Sequence, residues 1–356
     1  MQINRRIAKL RQILHEKAID AIMISQPENR YYLSGFNGSA GYLFITQNST
    51  VLATDFRYVE QVKRQSPDYP LFQITGSISK WFPEMINGLN IKTLGFESSD
   101  ISFERYQNMS GIIEKSGTHL KLVPLTETVE SIRTVKDPAE IDCIIRAADI
   151  SDAAFRHIEE IIRAGMTELE LAWELEKSLR QAGSQLLPFE IIVGSGPNAA
   201  LPHAHPCERV IQKGETVVID FGARVAGYCS DITRTLCVGK PDATFKKIYS
   251  IVLNAQLNAI SNIVEGMKGA EADRFARGII EEAGYGEAFG HSLGHGIGLA
   301  AHEKPSLNRI SEDILSENMV FTIEPGIYIE GWGGVRIEDT VMIKNGKICL
   351  LTQSAK

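Results

Sequence analysis

Two pairs of acidic residues, each placed inside apolar strand patterns, limit the folds that the C-terminal part of this chain can adopt. Asp220 lies in the pattern 216–222 and Asp231 in the pattern 227–233, so we expect a hairpin with both aspartates directly opposite on one face. Cβ atoms of opposite residues are roughly 4.5–5.5 Å apart, where like charges destabilise a sheet. A cation between the carboxylates would remove this cost; a solvent-facing hairpin is the alternative.

A second acidic hairpin is predicted about one hundred residues later. Glu324 lies in the pattern 320–326, and Glu338 follows a glycine-rich turn in the pattern 335–339. The two glutamates are opposite each other if the hairpin is centred near Gly331. Two independent acidic hairpins argue against the solvent-facing alternative and predict a cation site.

Histidines add a nitrogen ligand to this carboxylate set. Five of the eight histidines fall in two short loops, 203–205 and 291–302, and His295 lies between glycines that allow close backbone approach. Four carboxylates and one imidazole suit Mn²⁺, Zn²⁺ or Co²⁺. Four carboxylates balance two divalent ions, and paired metals roughly 3.5–4 Å apart are typical of hydrolases that attack with a bridging hydroxide. The sequence thus predicts a two-metal hydrolase with the ligands Asp220, Asp231, His295, Glu324 and Glu338.

The length of 356 residues predicts two domains. Strand patterns at 21–25, 42–46, 51–54 and 93–96 alternate with helical patterns such as 102–114, which indicates a small α/β domain over residues 1–126. Residues 127–356 form the second domain. Asp137-Pro138 with Glu140 predicts the start of a long helix that runs to about Gly165, and Thr167 with Glu170 predicts the start of another.

A weak internal repeat organises the second domain. Gly165-Met166 precedes Ala182-Gly183 by the same interval that separates Gly266-Met267 from Ala283-Gly284, with an offset of 101 residues. We therefore expect two α/β halves related by a pseudo-twofold axis, with the site between them.

Bulk properties exclude several classes of protein. The formal charge of −7 and the pI near 5.7 argue against a nucleic-acid partner. The chain has no apolar run near the ~20 residues of a membrane span. Residues 1–10 have the pattern of an amphipathic helix rather than a signal peptide, and the five cysteines include no CxxC pair, so we expect a reducing, cytoplasmic location.

The ligand residues lie in motifs that resemble those of the pita-bread metallopeptidases. His295 is in Gly-His-Gly-Ile-Gly-Leu, Glu324 in Glu-Pro-Gly-Ile-Tyr and Glu338 in Arg-Ile-Glu-Asp. The similarity is greatest to the Xaa-Pro peptidase branch, which comprises Xaa-Pro dipeptidase (prolidase) and aminopeptidase P. It extends over nearly the whole chain and includes Leu201-Pro202-His203, His302-Glu303, Lys136 with Glu140-Ile141, and the segments 32–36 and 54–58.

This resemblance implies a pita-bread catalytic domain after a smaller creatinase-like α/β domain. It also implies a homodimer, two divalent ions per chain with Mn²⁺ expected and Co²⁺ or Zn²⁺ as alternatives, and hydrolysis of the Xaa-Pro bond in dipeptides or short peptides. Asp220 would chelate one metal, His295 and Glu324 would bind the other, and Asp231 and Glu338 would bridge both.

The resemblance assigns further roles around the metals. Glu324 would carry a proton to the leaving nitrogen, and His302 would donate a hydrogen bond to the tetrahedral oxyanion. His203 would line the substrate pocket, Arg336 would support the carboxylates, and His291 would either line the pocket or pack behind it.

Several alternatives stay open. A methionine aminopeptidase would share the ligands but not need the N-terminal domain, a creatinase-like hydrolase would lack the ligands, and a noncatalytic peptide-binding module on the same fold usually loses them. Dipeptidase and aminopeptidase are not distinguished: Ser306 stands where some archaeal prolidases carry Arg, although Lys304 or Arg309 could replace it. His205 has no matched role.

Overall fold

The computed structural model describes residues 2–356, which divide into two compact units, the first ending at Arg133 and the second running from Thr134 to Lys356. The boundary between the units lies between residues 133 and 134, whereas the domain boundary predicted from the sequence lies between residues 126 and 127. The difference has a physical cause, because residues 130–133 form a short helix tied to the first unit. Asn29 Nδ2 donates to Glu130 Oε1 (2.7 Å), and Arg133 donates to Asn29 Oδ1 (2.7 Å).

The first unit is built on one six-stranded sheet in the order β4-β3-β2-β1-β5-β6. Its strands are β1 Ala21–Ile24, β2 Tyr42–Thr46, β3 Thr50–Thr54, β4 Leu71–Gln73, β5 Thr93–Glu97 and β6 Lys121–Leu125. Its helices are α1 Ile3–Glu16, α2 Pro27–Ser34, α3 Val59–Gln65, α4 Ile78–Leu89, α5 Phe103–Ser116 and α6 Glu130–Arg133, and a 3-10 turn lies at Phe56–Tyr58. The four predicted strands and the helix near 102–114 are present. The sequence missed β4 and β6, the two edge strands.

The second unit contains four long helices, two larger sheets and two two-stranded ribbons among the residues described. The helices are α7 Pro138–Ile161, α8 Glu168–Gln181, α9 Ala243–Asn262 and α10 Gly269–Glu282, and 3-10 turns lie at Gly196–Ala200 and Gly286–Ala288. The strands of the first half are β7 Ile192–Ser195, β8 Thr216–Phe221, β9 Arg224–Val225, β10 Tyr228–Cys229 and β11 Ile232–Cys237. Those of the second half are β12 Gly294–Gly296, β13 Glu303–Leu307, β14 Val320–Ile323, β15 Gly326–Ile329, β16 Gly333–Arg336, β17 Asp339–Lys344 and β18 Lys347–Leu350. The sheets have the orders β11-β8-β7 and β13-β12-β14-β17-β18, and β9-β10 and β15-β16 are two-stranded ribbons.

The predicted helix starts are confirmed by their caps. The Asp137 side chain accepts from Glu140 N, and the Glu140 side chain accepts from Asp137 N, so α7 opens with a capping box. Thr167 and Glu170 form the same arrangement at α8. Helix α7 ends at Ile161, a few residues before the glycine that was expected to stop it.

The internal repeat is visible in the backbone. Helices α8 and α10 begin 101 residues apart (168 and 269). The glycine before each helix has a positive φ and donates to a carbonyl from the later part of its own half: Gly165 N to Ile211 O (3.0 Å), and Gly266 N to Leu315 O (2.8 Å). Each half also has its own hydrophobic core. The second unit therefore consists of two halves with the same local architecture.

The register of one acidic hairpin differs from the prediction, and that of the other agrees with it. Asp220 on β8 pairs with Thr233 on β11, so Asp231 lies just before β11 and is diagonal to Asp220. The turn occupies Ala226 and Gly227, which both have positive φ, and this centres the hairpin one residue later than expected. In the second hairpin, Ile323 pairs with Asp339, which places Glu324 and Glu338 at equivalent positions, as predicted.

No helix among residues 2–356 is long and apolar enough to cross a membrane. All five cysteines are free in this described part of the chain.

Candidate metal centre

A cavity of about 350 Å³ in the second unit gathers the functional side chains predicted from the sequence. It is lined by Phe189, Glu190, Ile191, Ile192, Pro202, His203, Ala204, His205, Asp220, Asp231, His291, Ser292, His295, His302, Glu324, Arg336 and Glu338. All nine predicted site residues are in this set, and they come from both halves of the unit.

The acidic residues meet where strands of the two halves touch. Glu338 N donates to Thr233 O (3.0 Å), which joins the start of β17 to β11. Thr340 connects the same strands, because its hydroxyl donates to Asp231 O (2.7 Å) and accepts from Asp231 N (3.2 Å). These bonds hold the carboxylates of one half against those of the other.

His295 reaches the carboxylates because its neighbours are glycines. A Cβ at Gly294 would collide with the Thr322 carbonyl, and one at Gly296 would collide with the Lys304 carbonyl, so β12 fits tightly between β13 and β14. The His295 Nδ1 lies 3.1 Å from Gly296 O, an acceptor, and this contact fixes the proton on Nδ1. The unprotonated Nε2 faces Glu324 Oε1 (3.3 Å) and Asp231 Oδ2 (3.8 Å), as a metal ligand would.

The carboxylates at the buried end of the cavity repel one another. Asp231 and Glu338 are 4% and 2% exposed. Burial, together with the neighbouring carboxylates, raises the pKa of Asp231 and of Glu338 well above their ordinary values. Burial also raises the pKa of Glu324 to about 8, with Asp220 adding to the rise and Arg336 opposing it. A bound cation would relieve this repulsion.

The donor set fits a divalent metal. Ligand atoms of Asp231, His295 and Glu338 lie within 4.8 Å of one another. Asp220 Oδ1 is buried and has no hydrogen-bond partner among the described residues. If the four carboxylates are ionised and Arg336 supplies one positive charge, the net charge of the set is −3. One divalent ion would not neutralise this charge. Oxygen ligands with a single nitrogen are the set preferred by Mn²⁺, Co²⁺ and Zn²⁺.

Arg336 organises one side of the centre. It is 3% exposed, and its Nη2 lies 2.5 Å from Asp220 Oδ2. Its other nitrogens donate to Thr233 Oγ1 (3.1 Å), to Tyr328 Oη (2.9 Å) and to Pro202 O (3.1 Å). Every nitrogen of the guanidinium is therefore engaged within the protein.

His291 belongs to the same network. Its Nδ1 lies 2.8 Å from Ser292 O and its Nε2 lies 2.9 Å from Tyr328 Oη. Because Ser292 O only accepts, Nδ1 carries the proton and Nε2 accepts from the tyrosine hydroxyl. Burial lowers the pKa of His291 to about 4, so the ring is neutral. Both ring nitrogens are occupied within the protein, and His291 also lines the cavity.

His302, His203 and His205 lie at the exposed side of the cavity. The His302 ring is 4.1 Å from the His295 ring, centroid to centroid. Burial, followed by the neighbouring His295, lowers the pKa of His302. A neutral imidazole next to the predicted metal ligand can donate one N–H into the cavity.

Three hydroxyl residues of the site were missed by sequence reasoning. Thr233 donates to Glu338 Oε2 (2.6 Å), Thr322 donates to Glu324 Oε1 (3.2 Å), and Tyr328 links Arg336 to His291. Each threonine is two positions from a carboxylate ligand, Thr233 after Asp231 and Thr322 before Glu324. This spacing places side chains on one strand face and was the available signal.

The residues considered for recognition of a substrate carboxylate are outside the cavity lining. Lys304 Nζ is 3.2 Å from Asp313 Oδ1, and Arg309 Nη2 is 3.6 Å from Glu281 Oε1. Ser306 pairs with His295 across β12–β13, and its hydroxyl accepts from Asn308 (2.8 Å). Each of these side chains thus has a partner elsewhere.

Two family models match the chain. Residues 142–345 match the model of metallopeptidase family M24, and residues 6–135 match that of the creatinase/prolidase N-terminal domain.

Individual relatives are similar over the full length. An Xaa-Pro dipeptidase of Pyrococcus horikoshii is 39% identical over 97% of this chain and 96% of its own. The structure of an Xaa-Pro dipeptidase from Bacillus anthracis has a TM-score of 0.95 and 42% identity, and covers 100% of this chain and 99% of that one. That of an X-Pro aminopeptidase from Thermotoga maritima has a TM-score of 0.90 and 39% identity, with 98% of both chains covered.

Proposed function

The chain belongs to metallopeptidase family M24, and from this membership we propose that it is a two-metal exopeptidase that cleaves the bond between an N-terminal residue and proline. The observation that carries the proposal is the single cavity in which four carboxylates and His295 converge. Relatives named as Xaa-Pro dipeptidases and as an X-Pro aminopeptidase support the choice of substrate class.

The metal ligands are Asp220, Asp231, His295, Glu324 and Glu338, in agreement with their convergence and burial. Asp231 and Glu338, the most deeply buried carboxylates of the set, would each help to hold both ions. Bound divalent ions supply the activation of water and the polarisation of the scissile carbonyl. Mn²⁺ is the expected ion, with Co²⁺ or Zn²⁺ as alternatives.

The remaining side chains move protons and stabilise charge. Glu324 lies in the cavity, with Oε1 3.3 Å from His295 Nε2, and its carboxylate is the group that takes a proton from water and gives it to the leaving proline nitrogen. His302 donates to the oxyanion, and His203 contacts the substrate at the exposed side. Arg336 fixes Asp220, and His291 fixes Arg336 through Tyr328.

The proposal also includes a homodimer in the cytoplasm. The free cysteines are consistent with a reducing compartment. The dimer rests on the family resemblance, and sedimentation or light scattering would measure the mass directly.

Metal removal and reconstitution test the function. Protein treated with a chelator should lose hydrolysis of Ala-Pro and Ala-Pro-Ala, and Mn²⁺ should restore it as about two ions bind per chain. Met-Ala-Ala and Ala-Ala-Ala are the matched non-proline substrates and should be cleaved poorly. Full activity without metal would refute the proposal. Equal cleavage of Met-Ala-Ala would favour a methionine aminopeptidase, and intact metal binding without hydrolysis would favour a peptide-binding module.

A further inference from the structure

The cavity has a buried end and an exposed end, and this gives the substrate a direction. Asp231 and Glu338 at the buried end are 4% and 2% exposed. Glu190 and His205 at the other end expose 72% and 79% of their side chains. If the proposed function holds, only one residue precedes the scissile bond, so the part of the substrate that continues toward solvent is its carboxyl side. The proline and whatever follows it therefore pass Glu190 and His205.

Glu190 and His205 form the mouth of the cavity. Glu190 precedes β7 by two residues, and Ile192, at the start of β7, pairs with Asp220 in the β7–β8 register. Glu190, Ile191 and Ile192 all line the cavity, so this wall is continuous from Glu190 to the strand that pairs with β8. From the other side, His205 Nδ1 approaches Glu190 Oε2 to 3.3 Å. The carboxylate of Glu190 is thus held at the mouth, on the same wall as the metal centre.

The cavity offers no free cation to a substrate carboxylate. Among the residues of 2–356 that line it, Arg336 is the one Arg or Lys. Arg336 is 3% exposed and engaged with Asp220, Thr233, Tyr328 and Pro202. Recognition of a free proline carboxylate normally uses a charged donor such as arginine. The mouth instead presents a carboxylate.

We infer that Glu190 is a specificity residue that disfavours Xaa-Pro dipeptides and favours peptides that continue beyond the proline. A dipeptide would bring its free carboxylate next to the Glu190 carboxylate. A longer peptide, or a dipeptide amide, presents a neutral amide at the same place. This inference rests on the proposed Xaa-Pro peptidase function. At ~6 Å in a solvent-like dielectric the repulsion between two carboxylates amounts to about threefold in binding, and the lower effective dielectric near a protein surface increases it toward tenfold.

The experiment compares Ala-Pro with Ala-Pro-NH₂ and Ala-Pro-Ala on metal-loaded protein at pH 8. Wild type should hydrolyse the amide with a kcat/KM roughly three- to tenfold higher than the dipeptide, chiefly through KM. Glu190→Gln should bring the ratio close to one, and Glu190→Lys should invert it. Ala-Pro-Ala should behave like the amide.

Glu208→Gln is the matched control, because Glu208 is an exposed carboxylate close in sequence that does not line the cavity. It should leave the ratio unchanged. A wild-type preference for Ala-Pro, or an unaltered ratio in Glu190→Gln, would overturn the inference. Calorimetric binding of Ala-Pro and Ala-Pro-NH₂ to metal-free protein measures the same preference without turnover. Failure of wild type to cleave any of the three peptides would therefore contradict the proposed function alone, while the binding ratio still decides the role of Glu190.

Discussion

His302 differs from the other cavity histidines in its surroundings. His295 and His291 have their Nδ1 atoms fixed by backbone carbonyls, whereas His302 lies at the exposed side against the His295 ring. Its lowered pKa, caused first by burial, keeps it neutral at neutral pH and able to donate one hydrogen bond. Such a donor acts on charge that develops only during attack on the carbonyl.

We expect His302→Ala to lower kcat by roughly 10²–10³-fold, or about 3–4 kcal/mol, with little change in KM. Steady-state kinetics on Ala-Pro-Ala and metal analysis should be measured together. Metal content should equal that of wild type, and His119→Ala, an exposed histidine of the first unit, serves as the control. Loss of a metal ion would make His302 a ligand, and an unchanged kcat would make it a surface residue with no part in catalysis.

The five proposed metal ligands could be named from the sequence because charged groups inside apolar strands are costly unless a cation neutralises them. The roles of His203, His291, His302 and Arg336 came from the family resemblance. Thr233, Thr322 and Tyr328 were missed, because a hydroxyl in a strand can bond to many partners. For the two threonines the signal was their two-residue spacing from a carboxylate, and Tyr328 gave none. Glu190 was missed for another reason: an exposed carboxylate is ordinary on a surface. Its position at the cavity mouth is known only from the fold.

At the scale of elements, strand β12 carries His295 between two neighbouring strands. We predict that Gly294→Ala will push β12 away from β14, because the added Cβ would collide with the Thr322 carbonyl. Overpacking of this kind costs roughly 1–3 kcal/mol, and it should also weaken metal binding by displacing His295. Denaturant unfolding and calorimetric metal titration measure both effects.

Gly290→Ala is the matched control for that substitution. Gly290 belongs to the same glycine-rich segment, and an added Cβ there would meet no atom within 4 Å. Its stability and metal affinity should stay near those of wild type. Equal behaviour of the two variants would show that the close approach at Gly294 is not required.

The segment that leads into α7 is held to β13 by a buried ion pair. Lys136 Nζ lies 2.7 Å from Glu303 Oε1, with both side chains almost fully buried (1% and 6% exposed), and Glu303 follows His302. We predict that Lys136→Met costs about 3–5 kcal/mol of unfolding free energy, since it leaves a buried carboxylate without its cation. It should also lower kcat, because the ion pair that anchors Glu303, the residue after His302, is lost.

The comparison for Lys136 is Lys63→Met. Lys63 pairs with Glu60 at 2.6 Å, but both side chains are more than 60% exposed. Removing such a surface pair should change stability by less than about 1 kcal/mol. Urea unfolding measures the free energy of unfolding of both variants. Similar losses would show that the buried Lys136–Glu303 pair stabilises the fold no more than the exposed Lys63–Glu60 pair.

Element boundaries were predictable where a local rule sets them and not elsewhere. The starts of α7 and α8 follow from side chains that cap the helix, so they appear in the sequence. The first hairpin was misplaced by one residue because Ala226 adopts a positive φ, which its residue type does not indicate. Strands β4 and β6 are sheet edges, where a continuous apolar run is not needed.

At the scale of the whole molecule, each unit has a hydrophobic core of its own, and the proposed metal ligands all belong to the second unit. Two domains follow from chain length alone. Their junction does not, because the contacts of Asn29 with Glu130 and Arg133 that attach α6 to the first unit join residues about one hundred positions apart.

The stability of the metal-free protein should fall as pH rises, and metal should reverse this. Burial and mutual repulsion raise the pKa of Asp231 and of Glu338 well above the ordinary value, and raise that of Glu324 to about 8. A carboxyl whose folded pKa exceeds its unfolded pKa binds more protons in the folded state, so its stabilising effect is full at low pH and is lost as pH rises through the folded pKa. For Glu324 the window runs from about pH 4.5 to about pH 8, and Asp231 and Glu338 lose stability in the same direction as pH rises.

We predict that the thermal midpoint of metal-free protein is higher at pH 5.5 than at pH 8 by roughly 5 °C or more. A divalent ion binds the ionised carboxylates and displaces the protons that they retain, so Mn²⁺ at 100 times its dissociation constant should add about 2.7 kcal/mol at pH 8 and raise the midpoint. Asp231→Asn removes one of the repelling charges, so its metal-free form should be less sensitive to pH and should gain less from Mn²⁺. Calorimetric scans of both proteins at the two pH values test this. A metal-free midpoint that rises from pH 5.5 to pH 8 would mean that the carboxylates do not repel one another in the folded protein, and the argument for a cation among them would lose its electrostatic basis.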